Sequence, residues 1–99
     1  MKSNSAAFRS DASQQEDRNT VANRVRAVLA AHGRLGIDIA ELADGDDLYT
    51  AGMTSLASVN VMLGLEAEFD IEFPDNMLNR SVFSSVTAID AAVRKIAGG

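Results

Sequence analysis

Ser55 is the residue whose type and setting point most directly to chemistry. It lies in Asp46-Asp47-Leu48-Tyr49-Thr50-Ala51-Gly52-Met53-Thr54-Ser55-Leu56, which runs acidic, then apolar, through a glycine turn and into a polar pair opening an apolar helix. Thr54 and Ser55 occupy the N-cap and first helical positions, because the helical pattern begins immediately after them. A hydroxyl there is exposed, and the orphan amides and positive dipole end of a first helical turn favour an attached anion. The expected chemistry is carriage of a phosphate-linked group on Ser55, with Thr54 as the cap beside it and Gly52 as the turn behind it. Ser58, Ser84 and Ser85 lack this Gly-turn-helix setting and read as structural.

Intrinsic catalysis finds little to work with. The chain has one histidine, His32, and no cysteine, which excludes disulfides and Cys-ligated zinc. No HExxH pattern is present, and a hydrolase elbow would need a glycine two residues after the serine. His32 precedes Gly33 at a helix end, where a basic residue complements the dipole, so its reading is structural. The cluster Asp44-Gly45-Asp46-Asp47 invites a calcium loop, but a twelve-residue count from Asp44 puts Ser55 where the bidentate glutamate belongs. The expectation is therefore no enzyme, no metal, and a carrier whose borrowed group meets no competing protein thiol.

The elements that must position Ser55 follow from apolar spacing. Residues 1–15 are small and polar without an apolar period, and are expected to form a disordered tail. Residues 16–97 form the expected domain. Its first helix runs from Glu16 to His32, with Val21, Val25, Val28 and Leu29 in one stripe and Gly33 as a left-handed C-cap. The connection from Arg34 to Met53 is long, and its Leu35, Ile37, Ile39, Leu42, Leu48 and Met53 are spaced to lie over a core. The second helix, Ser55 to Phe69, carries Leu56, Val59, Met62, Leu63, Leu65 and Phe69, more than one stripe, so part of it faces outward as a surface for a partner. Burial on two sides is the alternative. Gly64 costs this helix about 1 kcal/mol relative to alanine, and close approach of another helix is the candidate reason. Phe73-Pro74 ends the unit. Residues 75–84 suit one or two short turns, and Ser85 caps a last helix, Val86 to Ala97.

Composition sets the frame. With 99 residues, 46% of them apolar and few aromatics, the chain is one small all-α domain of slender helices. No apolar run approaches the roughly 20 residues of a membrane span, and no signal-peptide core opens the chain, so a soluble, cytoplasmic protein is expected. The net charge of −5 is concentrated: ten acidic residues and no Lys or Arg lie between Asp38 and Asp75. Such a block disfavours nucleic acid and anionic membrane and attracts basic protein surfaces; a solvated face is the plainer reading.

The stretch Asp47 to Leu56 resembles the attachment motif of the acyl carrier protein family, an acidic residue and Leu followed by Gly-x-Asp-Ser-Leu. Glu66-Ala67-Glu68-Phe69-Asp70-Ile71-Glu72-Phe73-Pro74-Asp75 is similar to the end of that family's second helix, and Phe83-Ser84-Ser85-Val86 to the entry of its last. The resemblance covers about residues 18–97. It implies a four-helix bundle with a long first loop and a short third helix. It also implies 4′-phosphopantetheine, transferred from coenzyme A to Ser55 by a separate phosphopantetheinyl transferase, with cargo held as a thioester.

Two departures refine the expectation. Thr54 replaces the family's Asp but can still cap the helix. The helix start Leu56-Ala57-Ser58-Val59-Asn60-Val61 carries no acid, which offers the basic partners of fatty-acid synthesis a weak counter-charge. This neutral start, with Phe73-Pro74-Asp75-Asn76-Met77-Leu78-Asn79-Arg80, looks similar to stand-alone bacterial carriers loaded with amino acids by synthetase-like amino acid:[carrier protein] ligases. Partner recognition would then rest on Leu56, Val59, Asn60 and Leu63, with Glu66 near the helix end, and the carrier alone would be a monomer. An acyl carrier for specialised lipid or secondary-metabolite synthesis remains the alternative. From a different class, so does an unmodified helical adaptor with Ser55 as a cap residue.

Overall fold

The computed structural model describes residues 20–98, so the expected tail and residues 16–19 of the expected first helix lie outside the described residues; the helix expected to run unbroken from Glu16 instead begins at Val21, because Thr20 is extended at ψ 156° and caps it. Three α-helices are found there: α1, Val21–His32; α2, Ser55–Phe69; and α3, Val86–Ala97. Two single 3-10 turns, Ile39–Glu41 and Asp75–Met77, sit in the connections, and no strand occurs among the described residues. Among the described residues the fold is all-helical with three α-helices, and the place of the expected short third helix is held by the Asp75–Met77 turn. The reason is local. Asn79 accepts the amide of Val82 through its side chain, and Ser81 and Ser84 bond nearby polar groups, so side chains satisfy turns that a helix would otherwise satisfy.

Each helix starts on a side-chain cap. Thr20, Thr54 and Ser85 accept the amides of Asn23, Ala57 and Ala88 through their hydroxyl oxygens. The helix ends are less regular. Gly33 was expected to take the left-handed conformation but stays right-handed, with φ −76°. Its amide still bonds Leu29 O at 2.7 Å, so the helical geometry persists one residue further and the reversal falls on Arg34, φ 53°. At the end of α2, Asp70 adopts the left-handed conformation and its amide bonds Glu66 O.

The core draws on every element. Val25, Val28 and Leu29 of α1 meet Ala57, Val61 and Leu65 of α2 and Val86, Ile89, Ala92 and Val93 of α3. The first connection adds Leu42, Leu48 and Met53; the second adds Phe73 and Phe83, whose rings lie 5.2 Å apart in a tilted pair. Leu35 and Ile39 are half-buried, while Ile37 stays exposed.

α1 packs against both α2 and α3. Its approach to α2 accounts for Gly64: a Cβ there would lie 2.9 Å from Val28 Cγ1 and 2.7 Å from His32 Cδ2. The mid-helix glycine is thus an interhelical contact, and His32 lies against it. Across the same seam Arg24 stacks on Phe69 at 4.4 Å and pairs with Glu68 at 2.7 Å.

The long connection is tied down along its length. Leu48 N–H donates to Ser84 O and Thr87 N–H to Asp44 O, which fasten it to the entry of α3. Arg26 donates to Ile39 O and pairs with Asp44. Several of the clustered acids serve as turn caps: Asp38 accepts Ala40 N–H, Asp46 accepts Ala43 N–H, and Asp47 accepts Tyr49 N–H at 2.9 Å. Gly52 closes this unit at φ 120°, a conformation that L side chains rarely adopt, where a Cβ would also lie 2.9 Å from Gly36 N. Gly52→Ala is therefore expected to destabilise the protein by about 2 kcal/mol. A lower midpoint in urea with an unchanged slope is the reading that checks it.

Candidate functional site

Ser55 opens α2 as its first residue and is exposed. Thr54 is extended at φ −83°, ψ 168°, which lets its Oγ1 accept Ala57 N–H at 3.0 Å while its carbonyl accepts Ser58 N–H at 2.9 Å. The cap side chain satisfies the Ala57 amide, Ser58 N–H makes the first regular helical bond, and the amides of Ser55 and Leu56 keep no partner among the described residues. The threonine standing where the resembling motif has an aspartate therefore performs the capping bond without adding a negative charge beside the serine.

The Ser55 hydroxyl is bonded to nothing among the described residues, which sets it apart from its neighbours. Ser58 Oγ donates to Ser55 O at 2.6 Å, Ser84 Oγ donates to Ser81 O at 2.8 Å, and Ser85 Oγ accepts Ala88 N–H at 3.0 Å. Ser81 Oγ likewise donates to Asn79 Oδ1, so the other four serine hydroxyls of the described residues serve local structure, and the one at the head of α2 is available. Gly52 and Met53 precede it, Gly52 in its turn and Met53 buried, so the serine stands on a fixed corner.

A groove of about 460 Å³ opens beside Ser55. Val59 and Met62 of α2 form one wall, and Leu78, Arg80 and Phe83 of the second connection another. Tyr49 closes it from the first connection, with Arg80 stacked on its ring at 3.9 Å.

The outward strip expected on α2 is present. Leu56, Val59 and Leu63 are 74%, 48% and 53% exposed, Asn60 is exposed between them, and Leu78 lies exposed on the neighbouring turn. Buried on the same helix is a narrower stripe of Ala57, Val61 and Leu65, spaced four apart. Glu66 stands apart from the strip: its carboxylate accepts Phe73 N–H at 3.0 Å and anchors the chain after α2. Sequence reasoning passed over Tyr49 and Arg80 as groove residues, although Arg80 is the single Lys or Arg between Arg34 and Arg94. No helix among the described residues is long and apolar enough to cross a membrane.

Comparison with known proteins gives a consistent set of relatives. The family model described as the phosphopantetheine attachment site matches residues 23–91. The aminoacyl carrier protein of Agrobacterium fabrum is 51% identical over 75 residues, which cover 76% of this chain and 90% of that protein. The fold is similar to a chain in the crystal structure of engineered Bradyrhizobium japonicum glycine:[carrier protein] ligase complexed with carrier protein from Agrobacterium tumefaciens and ATP. There the TM-score is 0.75 at 49% identity, covering 77% of this chain and 99% of that one. It is also similar to a chain in the crystal structure of Bradyrhizobium japonicum glycine:[carrier protein] ligase complexed with glycylated carrier protein. In that case the TM-score is 0.65 at 27% identity, covering 75% of this chain and 99% of that one.

Proposed function

The chain belongs to the phosphopantetheine attachment family, and on that premise we propose that it carries an aminoacyl group on 4′-phosphopantetheine joined to Ser55, loaded by an amino acid:[carrier protein] ligase. The observation that carries this reading is the unengaged, exposed hydroxyl at the first position of α2. The residues around it suit a covalent arm. The hydroxyl is reachable by a phosphopantetheinyl transferase, two first-turn amides are without partners among the described residues, and the adjoining groove offers both apolar wall and a cation. The arm, when attached, supplies a terminal thiol that holds the cargo as a thioester.

This chain's own residues do the rest. Thr54 fixes the first turn so that Ser55 stays at a defined corner. Leu56, Val59 and Leu63, with Asn60, offer a neutral apolar strip next to the serine, and a partner gains by burying such side chains at about 25 cal/mol per Å². That strip carries no charge, so selection of a partner rests on shape and on the arm rather than on the acid–base pairing of strongly acidic carriers. Glu66 supports the site from behind, by holding the chain after α2, and does not form part of the strip. The protein acts as a monomeric, cytoplasmic substrate for its partners and catalyses nothing itself. The aminoacyl reading draws on the relatives: one is named an aminoacyl carrier protein, and another is a carrier glycylated in complex with its ligase.

The test offers the modified protein to a glycine:[carrier protein] ligase with ATP and glycine, and in parallel to an acyl-loading enzyme with a fatty acid. A mass gain of one glycyl residue, with little or no fatty acylation, is the expected outcome. Fatty acylation together with refusal of every amino acid would assign the chain to acyl transport instead.

A further inference from the structure

The groove beside Ser55 contains one formal charge, and that charge is positive. Arg80 follows a stretch, Asp38 to Asp75, in which every charged residue is acidic, yet among the described residues its guanidinium pairs with no carboxylate. Arg24, Arg26 and Arg94, by contrast, are each committed to a carboxylate. Arg80 instead lies 3.9 Å over the Tyr49 ring. Stacking of this kind uses the flat face of the guanidinium and leaves its N–H donors, which lie in the plane, free. It also restrains a long side chain that would otherwise lose entropy on binding anything. Tyr49 is half-buried and backed by the Asp47-capped turn, so the stack rests on a fixed support.

An unpaired, pre-positioned cation in the groove that begins at the serine calls for an anion. We propose that Arg80, held by Tyr49, binds the phosphodiester of the arm attached to Ser55. This rests on the reading of Ser55 as the attachment residue. A guanidinium matches a phosphodiester through charge-assisted hydrogen bonds, which are about twice as strong as neutral ones.

The test uses the full chain, modified with coenzyme A and a phosphopantetheinyl transferase, as wild type, Arg80→Gln and Tyr49→Leu. Arg80 is exposed, and dispersed amide spectra of the unmodified variants establish folding before modification. Intact mass is read first, then the phosphorus resonance of the arm and the Arg80 side-chain Nε–H resonance. In the wild type, modification is expected to shift the Arg80 Nε–H signal, and the phosphorus resonance should move when salt is raised to 1 M. In Arg80→Gln the phosphorus resonance should start at the high-salt position and respond weakly to salt, with Tyr49→Leu intermediate. A phosphorus resonance identical in wild type and Arg80→Gln, with the Arg80 signal unmoved by modification, would overturn the proposal. Wild-type protein that gains no arm at all would instead defeat the Ser55 reading on which it rests.

Discussion

Ser55→Ala is expected to gain no 4′-phosphopantetheine under conditions that convert the wild type completely. The difference is all-or-none, because the substitution removes the oxygen through which the bond to phosphorus forms. Its value as a test depends on the fold surviving, and the structure gives reasons why it should. Ser55 is exposed, its hydroxyl engages nothing among the described residues, and the capping bond to Ala57 comes from Thr54. Alanine is also the better helix former, by about 0.5 kcal/mol. The melting temperature should therefore hold or rise slightly while modification vanishes. Ser58, whose hydroxyl already donates to Ser55 O, is the internal control: Ser58→Ala should be modified like the wild type. Equal modification of Ser55→Ala and wild type, read by intact mass, would remove the site from this serine.

Leu56→Asp carries the second large effect. Leu56 is 74% exposed and adjoins Ser55, so burying it in a partner removes more apolar surface than any other residue of the strip would. Loss of an apolar anchor at the centre of an interface costs about 2 kcal/mol or more. The aspartate adds the penalty of a charge brought into an apolar contact. Loading by the ligase should fall about 30-fold or more in kcat/KM, since about 1.4 kcal/mol is tenfold. Stability should change by less than about 0.5 kcal/mol, as for other exposed positions. Steady-state loading of the modified variant checks the first figure and urea unfolding the second. Loading unchanged by Leu56→Asp would move the docking surface off this face of α2.

Much of this frame is legible in the sequence because it depends on local chemistry. Thr54 and Ser85 cap helices where a hydroxyl residue precedes an apolar run, and α2 and α3 begin and end where their spacing predicts. The exposed strip is likewise readable, since Leu56, Val59 and Leu63 exceed what one buried face can hold. Long-range packing is where the sequence is silent. Ala57 and Val61 are buried while the larger Leu56 and Leu63 are not, a choice set by which face meets the core rather than by side-chain size. The reversal at Arg34 instead of Gly33 depends on a backbone bond that carries α1 one residue further. The short third helix expected from the resemblance is a single turn, because Asn79 and Ser81 offer side-chain bonds that compete with helical ones. Glu66 reads as a surface charge until its bond to Phe73 N–H is seen. The Arg80–Tyr49 stack joins residues from different connections, and no periodicity announces it.

The most direct test of the central claim is the location of the loaded arm in the chain. Trypsin should release residues 35–80 as one peptide, since no Lys or Arg lies between Arg34 and Arg80. After modification and loading with glycine, fragmentation of that peptide should place the mass of the glycylated arm on Ser55. Finding the arm on Thr54 or Ser58, or on a peptide beyond Arg80, would contradict the account.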